Sequence, residues 1–379
     1  MNLDRVAALF RENFAQHDEL GASLSIWCDG REVLGLAAGF RDRQQTVPWD
    51  AATPVLFWSA TKGLAAACVL HALQERGIEL DRRVVEFWPE FASAGKDAVT
   101  IAELLSHRAG LPALTTHVSV LDHDAVVRAL AHEEPHWPLG VGHGYHPRTF
   151  GFLLDELLRR ITGKMLQEYW RAHFGDPLGL DVWIGVPPGM VDKVAPVFPT
   201  KNALPEDDLF YKAFLQAGSF TARAFGSPRG LHSVAAMNAA EARTSSFPAF
   251  GGVGTAQALA KFYAMLAGGG ELDGVRIFRP ETIGKMTTTL AQGFDKVLHM
   301  DTAFSAGFMR DPVRPDGTKE RAIFGPSLRA FGHPGAGGSH AFADPENRIS
   351  FAYVMNQMEP GVLPNSKSLR LVEALYSVT

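Results

Sequence analysis

The chain has 379 residues, of which 46% are hydrophobic and 20% are charged, and its formal net charge at pH 7 is -5. This composition is ordinary for a folded globular protein, and the length exceeds what one compact core normally holds. Because the net charge is negative and no basic stripe is present, nucleic acid is not expected as a partner. The two cysteines, Cys28 and Cys68, cannot by themselves build a disulfide framework or a zinc site.

The first part of the chain predicts a helix, a hairpin and a buried helix. The pair Asp29-Gly30 lies between two apolar segments and is typical of a two-residue hairpin turn. An alanine- and leucine-rich run that ends at Gly77 is apolar nearly all round, which indicates a central helix. The predicted elements are a helix over 3–16, strands over 22–28 and 33–39, and a helix over 59–76.

The remainder of the chain passes from helices through loops to strands. Residues 181–250 are rich in proline and glycine, which predicts irregular loops that border a pocket. Further helices are predicted over 100–105, 124–132, 149–162, 255–266 and 366–376, and strands over 340–343 and 348–355. This order predicts one sheet domain built from both ends of the chain, with a helical domain between them. The predicted boundaries are 1–76 and 251–379 for the sheet domain and 77–250 for the inserted helical domain with its pocket-lining loops.

The N-terminal segment and the overall hydropathy bear on location. No run of 18 apolar residues occurs, and the charged, amphipathic first segment lacks the apolar core of a signal peptide. We therefore expect a cytoplasmic protein, monomeric or weakly oligomeric, with no membrane partner.

Matches to metal and nucleotide motifs fail on their context. His132 and His136 fit the letters H-E-x-x-H, but Pro135 would break the continuous helix that this zinc motif needs. Half of the 14 histidines lie between His107 and His146 without convincing ligand spacing, so solvated loop histidines are expected there. Neither a P-loop, a dinucleotide fingerprint nor a G-x-S-x-G nucleophile elbow occurs. No metal and no cofactor is expected.

One short motif carries chemistry, S-x-x-K at Ser59 and Lys62. Serine becomes a nucleophile only with a base in hydrogen-bond reach, and helix positions three apart share one face. A helix N-terminus favours negative charge at the serine, and a buried lysine has a lowered pKa and can accept a proton. The structural alternative is an N-cap serine with a surface lysine. A second copy, Ser93 with Lys96, has no apolar helix behind it, and both residues are expected to be solvated.

Three further motifs follow the serine in order: L-L-S-H-R-A-G-L-P at 104–112, G-Y-H-P at 144–147, and F-G-H-P-G-A-G-G-S at 331–339. Together with S-x-x-K they resemble the signatures of the serine β-lactamase-like superfamily, which contains class C β-lactamases, D-alanyl-D-alanine peptidases and family VIII carboxylesterases. The resemblance covers roughly residues 20–375. It implies an α/β (α+β) fold of the β-lactamase/transpeptidase type, with an antiparallel sheet flanked by helices and an inserted, mainly helical domain.

The resemblance also implies a covalent mechanism. Ser59 would attack a carbonyl carbon, and water would later release the acid. Lys62 and Tyr145 would share the role of base, with Tyr145 deprotonating the serine or relaying its proton to the leaving group. To ionise at neutral pH, the tyrosine would need the nearby Lys62 cation. The backbone N–H groups of Ser59 and Ala336 would form the oxyanion hole. The substrate-binding residues implied are His333, Gly335, Trp58 and His146.

Two departures from the family pattern favour its esterase branch. Pro147 stands where β-lactamases and peptidases place an asparagine amide, and His333-Pro334 replaces lysine and threonine. The fixed cation that would pair with a penicillin carboxylate is therefore missing. An uncharged ester needs only the nucleophile, the base, the oxyanion hole and an apolar pocket. The aromatic candidates for such a pocket are Trp58, Trp137, Phe150, Phe220, Phe225, Phe247 and Phe250.

The sequence thus predicts a serine carboxylesterase that forms an acyl-enzyme on Ser59 and acts on small or short-chain esters. A β-lactamase, a D-amino-acid peptidase and an acyltransferase with the same nucleophile are the alternatives among enzymes. A catalytically silent ligand sensor is the alternative from a different class. The expected partner is a small-molecule ester, or a β-lactam if an alternative holds.

Overall fold

The computed structural model describes residues 1–377 as a sheet with helices on both faces. The helices are α1 Leu3–Gln16, α2 Thr61–Arg76, α3 Ile101–Leu105, α4 His123–His132, α5 Thr149–Thr162, α6 Leu166–Trp170, α7 Leu209–Leu215, α8 Phe220–Gly226, α9 Val234–Met237, α10 Ala240–Thr244, α11 Ala256–Ala267, α12 Pro280–Thr287 and α13 Ser366–Tyr376. The strands are β1 Gly21–Cys28, β2 Arg31–Gly39, β3 Val55–Leu56, β4 Val182–Ile184, β5 Gly252–Gly254, β6 Glu271–Leu272, β7 Val275–Arg276, β8 Ala291–Phe294, β9 Asp301–Phe304, β10 Met309–Arg310, β11 Phe331–Pro334, β12 His340–Asp344 and β13 Ile349–Met355.

The main sheet is antiparallel and has the strand order β2-β1-β13-β12-β11-β10-β9-β8. The two ends of the chain meet where β1 pairs with β13, with Leu24 opposite Tyr353. This pairing confirms the prediction of one sheet assembled from both ends. Helix α11 packs on β1, β12 and β13, whereas α1 packs against α13 and β2. Segment 77–250 adds mostly helices, although β4 joins β3 and β5 in a small separate sheet. The domain boundaries stay a prediction.

Helix α2 is the central helix of the molecule. Every residue from Thr61 to Leu73 is buried, as its apolar circumference predicts. Its neighbours are α5, α6 and β11. Gly77 ends the helix in the left-handed conformation, with φ of 63°. Because α2 is held on all sides, the residues at its N-terminus have fixed positions.

Two predictions about local structure are wrong. Residues 181–250 are not only loops, since they form β4 and α7–α10 as well. Asp208, Ser219 and Ser233 cap the N-termini of α7, α8 and α9 with their side chains. These helices are only four to seven residues long, so none has room for a clear periodic pattern.

The second S-x-x-K copy also differs from its prediction. Lys96 is fully buried rather than solvated. Its Nζ donates to the backbone carbonyls of Ser93 and Ala131, at 2.8 and 3.1 Å, and to that of Glu133. These carbonyls replace water around the ammonium group. The lysine therefore links the segment at Ser93 to the C-terminal end of α4. Among the described residues, it has no contact with a serine hydroxyl.

In the described part of the chain, no helix combines the length and the apolar character that crossing a bilayer would require.

The pH dependence of stability should report a buried histidine of the sheet, His340. Its ring packs against Phe324, Phe342 and Phe351, and burial lowers the pKa of His340 to about 3. The unfolded chain therefore binds this proton more tightly, so stability falls as pH drops below about 6.5. The free energy of unfolding of the wild type should fall between about pH 7.5 and about pH 4.5. In His340→Leu we expect this fall to be smaller by about 2 kcal/mol.

Urea unfolding at both pH values measures this difference. His132→Leu, the same substitution at an exposed position, serves as the control and should keep the pH dependence of the wild type. If the free energy of unfolding of His340→Leu depends on pH as strongly as that of the wild type, His340 is not the source of the pH dependence.

Candidate active site

Ser59 and Lys62 lie together where the chain enters α2. Trp58–Ala60 forms a 3-10 turn, and α2 begins at Thr61 rather than at the serine. Trp58 has φ of 48°, an unusual value for a bulky residue, and this turns the chain sharply after β3. The Ser59 Oγ is 3.2 Å from the Lys62 Nζ. The predicted proximity of the two side chains is therefore confirmed.

The surroundings of Lys62 determine its protonation state. Lys62 is fully buried, and its Nζ lies 2.8 Å from the carbonyl oxygen of Pro147 and 2.9 Å from that of Ala249. Burial lowers the pKa of Lys62 well below its ordinary value. A neutral amine has two N–H donors and one lone pair. The two carbonyls accept the two donors, which leaves the lone pair for the Ser59 hydroxyl proton.

Tyr145 completes this group of reactive side chains. Its ring centre is 4.6 Å from the Lys62 Nζ, and its side chain interacts with that of Ser59. Burial raises the pKa of Tyr145 above its ordinary value, and the interaction with Ser59 offsets only part of that rise. Burial therefore disfavours the ion pair implied by the family resemblance, a tyrosinate beside a lysine cation. The directions of both shifts favour a neutral amine beside a neutral phenol.

The backbone around Tyr145 is fixed by a residue that sequence reasoning missed. Asp295 is fully buried, and its two carboxylate oxygens each lie 3.0 Å from the Tyr145 N–H. The same carboxylate accepts the N–H groups of Val297 and Leu298 at 2.9 Å. No local pattern marks Asp295, because its bond to Tyr145 spans 150 residues of chain.

Three of the seven histidines between His107 and His146 are buried, contrary to the expectation that these residues are solvated: His107, His143 and His146. His117 and His132 are exposed, as expected. The backbone N–H of His146 donates to the Nδ1 of His107 at 3.1 Å. The His146 Nδ1 donates to the Gly144 carbonyl at 2.7 Å, and its Nε2 accepts the Leu111 N–H at 2.9 Å. Both ring nitrogens of His146 are thus occupied, and none is left for a substrate. These bonds fix the tyrosine loop.

The two candidate oxyanion donors reach the same cavity. Ser59 and Ala336 both line it, and among residues 1–377 the turn and loop hydrogen bonds use neither N–H group. Gly335 is buried beside them, and a Cβ on it would lie 2.1 Å from the Phe57 carbonyl oxygen. The glycine therefore lets the end of β11 approach the Ser59 turn, and it contributes close packing rather than a substrate contact.

His333 stands at the position where the resemblance expects a lysine. It is fully buried, and burial lowers the pKa of His333 to about 3. Its Nδ1 donates to the Pro334 carbonyl at 2.7 Å, and its ring centre is 5.8 Å from that of Tyr145. A neutral imidazole at this place supplies no cation for a substrate carboxylate.

The cavity in front of Ser59 has a volume of about 300 Å³. Three of the predicted aromatic residues, Trp58, Phe225 and Phe250, line it. The other predicted aromatics pack behind the wall: Phe150 on His107, Trp137 on Phe220, and Phe247 on Phe250. The walls are therefore mainly apolar. Within the described residues, no three His, Cys, Asp or Glu side chains are grouped to hold a metal ion.

A buried S-x-x-K pair beside a tyrosine, next to strand β11 of an antiparallel sheet, defines the class of serine hydrolases with a lysine-activated nucleophile. The family described as Beta-lactamase matches residues 6–375. The chain belongs to this family, and the predicted fold class is confirmed.

Known relatives agree with this assignment. Esterase/beta-lactamase LipL from Mycobacterium tuberculosis is 33% identical over 348 residues, which cover 89% of this chain and 77% of the relative. Esterase EstB from Burkholderia gladioli is 29% identical over 47% of this chain and 43% of its own length.

Solved structures give the same result over nearly the whole chain. A family VIII carboxylesterase superposes with a TM-score of 0.87 at 32% identity, covering 99% of this chain and 97% of its own. A penicillin-binding protein homologue from Caulobacter crescentus has a TM-score of 0.87 at 37% identity, with the same coverage.

The close approach at Gly335 can be tested directly. A Cβ there meets a backbone carbonyl, which cannot move away as a flexible side chain can, whereas the φ of -111° suits alanine. We expect Gly335→Ala to lower esterase kcat by about 10-fold or more and the free energy of unfolding by about 1–3 kcal/mol. Gly189→Ala, where no atom lies within 4 Å of the new Cβ, is the control. Full activity in Gly335→Ala would refute this packing argument.

Proposed function

We propose that the protein is a carboxylesterase that hydrolyses small or short-chain esters through an acyl-enzyme on Ser59. The observation that carries this proposal is the position of the Lys62 Nζ, which lies 3.2 Å from the Ser59 Oγ and contacts the carbonyls of Pro147 and Ala249. In the neutral form that burial favours, these carbonyls accept both N–H donors and the lone pair is directed at the serine hydroxyl. The relatives named as esterases and the family VIII carboxylesterase structure support the same chemistry.

The proposed reaction has two halves. In the first, Lys62 takes the Ser59 proton while Oγ attacks the ester carbonyl, and the N–H groups of Ser59 and Ala336 stabilise the oxyanion. Tyr145 passes a proton to the departing alkoxide and recovers one from Lys62. In the second half, water attacks the acyl-enzyme, its proton passes to the same pair, and Ser59 leaves with a proton restored.

The recognition residues favour an ester over a β-lactam. Pro147 has no side-chain amide to bond the acylamino group of a penicillin, and His333 is neutral where a lysine cation would stand. The apolar cavity suits a short acyl or alcohol chain. A cytoplasmic location and a monomeric or weakly oligomeric state stay predictions of the sequence.

Substitutions at the nucleophile and the tyrosine test the assigned roles. Ser59→Ala removes the attacking atom, and Tyr145→Phe removes only the hydroxyl that moves the proton. We expect hydrolysis of p-nitrophenyl butyrate to be lost in Ser59→Ala and lowered about 10²–10⁴-fold in Tyr145→Phe. Initial rates and labelling by a fluorophosphonate, followed by mass spectrometry, measure both effects.

The chain supplies its own control in the second S-x-x-K copy. Ser93→Ala changes a serine whose backbone carbonyl, and not its hydroxyl, contacts Lys96, and turnover and labelling of this variant should match the wild type. Nitrocefin should be cleaved poorly by all of these proteins. Efficient nitrocefin cleavage by the wild type would give the β-lactamase alternative precedence, and an unlabelled Ser59 would contradict an activated serine.

The pH profile of the free enzyme tests the neutral lysine. The base form of Lys62 is required, so kcat/KM should rise with pH and reach its plateau below the ordinary pKa of a lysine. Burial lowers the pKa of His333 to about 3, so this histidine is not the group whose deprotonation causes the rise of kcat/KM with pH. Lys62→Arg, which keeps a positive charge and cannot act as a base, should be inactive at every pH. A rate that still rises beyond about pH 10 would contradict the proposed base.

A further inference from the structure

Arg148 is the one charged side chain on the wall of the catalytic cavity as the structure describes it. It follows Pro147, whose carbonyl contacts Lys62, and it directly precedes α5. The side chain is only 6% exposed, which is far below what an arginine on a protein surface shows. The guanidinium is thus built into the cavity wall.

The guanidinium is held rigidly by uncharged groups. One terminal nitrogen lies 2.9 Å from the His232 Nδ1, and the other donates to the Gly230 carbonyl at 2.6 Å. Its central carbon lies 4.9 Å from the centre of the Phe250 ring. A guanidinium has five N–H donors, and these two contacts occupy at most two of them, so at least three remain. A planar fork fixed in this way is prepared for a carboxylate.

No protein carboxylate balances this charge. Within residues 1–377, none lies in ion-pair distance of the Arg148 guanidinium, and the cavity wall contains no Asp or Glu. The groups that face it, His232 and beyond it Arg229, are neutral or positive. Burial lowers the pKa of Arg148 only to about 10, so the side chain stays cationic at neutral pH. Burying a cation without an anionic partner is costly.

We propose that Arg148 determines specificity by binding a carboxylate of the substrate, so that the preferred esters carry a free carboxylate in addition to the scissile bond. Monoesters of dicarboxylic acids and acylated hydroxy acids have this chemistry. The inference rests on the proposed esterase function and deepens it. The sequence predicts an uncharged substrate because the lysine position is lost, but the cavity has a cation at a different place.

Matched ester pairs test this proposal. Monomethyl adipate and dimethyl adipate place the charge on the acyl side, and 4-acetoxybenzoate and its methyl ester place it on the alcohol side. We expect the wild type to favour the anionic member of one pair in kcat/KM. Arg148→Met should lower kcat/KM for that anionic ester about 10–100-fold and for its neutral partner less than about 3-fold. For Arg148→Lys, kcat/KM for the anionic ester should lie between the values of the wild type and of Arg148→Met.

An exposed arginine on the cavity-lining helix α8 gives the control, since Arg223→Met should leave the preference unchanged. Equal losses for both members of each pair in Arg148→Met would mean that Arg148 only holds the loop at Gly230 and His232, and this would overturn the proposal. A wild type that prefers both neutral esters would overturn it as well.

Binding measurements separate this inference from the proposed function. In the Ser59→Ala background, calorimetry should detect adipate or 4-hydroxybenzoate binding that Arg148→Met abolishes. If the wild type hydrolyses none of the four esters but binds these carboxylates through Arg148, the esterase proposal fails and the carboxylate site stands. If the neutral esters are hydrolysed and no carboxylate binds, the esterase proposal stands and the carboxylate site fails.

Discussion

The contacts of one buried amine determine how the catalytic site can be assembled. The Lys62 Nζ touches three segments that are far apart in the chain, at Ser59, Pro147 and Ala249. An amine without water is stable only if its donors are accepted, so each carbonyl has to be in place. The carbonyl partners also use up both N–H donors of the neutral form. The same bonds that satisfy the buried amine therefore orient it as a base.

Close packing of the backbone around Ser59 meets this requirement. The turn before the serine is enclosed by Gly335 on one side and by Gly252 on the other, where a Cβ would lie 2.3 Å from the Phe57 ring. Thr61, next to the serine turn, accepts the Gly252 N–H at 2.8 Å. Asp295 fixes the Tyr145 loop in the same way through its backbone. The reactive side chains are thus positioned by groups that take no part in the chemistry.

The sequence predicts what depends on local pattern and misses what depends on distant partners. The helices over 3–16, 149–162 and 366–376 agree with α1, α5 and α13 because their apolar faces and end signals are local. The proximity of Ser59 to Lys62 follows from helical spacing for the same reason. The importance of Asp295 and Arg148, and the burial of Lys96, depend on partners elsewhere in the chain, which no spacing rule reveals. The sequence also gives no measure of burial, which is the main influence on the pKa of Tyr145 and raises it.

Burial of the titratable groups also separates two effects of acid on this enzyme. Since burial lowers the pKa of Lys62, His146 and His333, all three favour their neutral forms, and Arg148 supplies the charge of the cavity. Protonation of Lys62 stops catalysis without requiring the fold to open, because the carbonyls of Pro147 and Ala249 can still accept two of its three donors. Protonation of the buried histidines acts on the fold instead, because the pKa values of His146 and His333 are about 3 and acid therefore favours the unfolded chain. Acid therefore acts on the nucleophile through Lys62 and on the fold through the buried histidines.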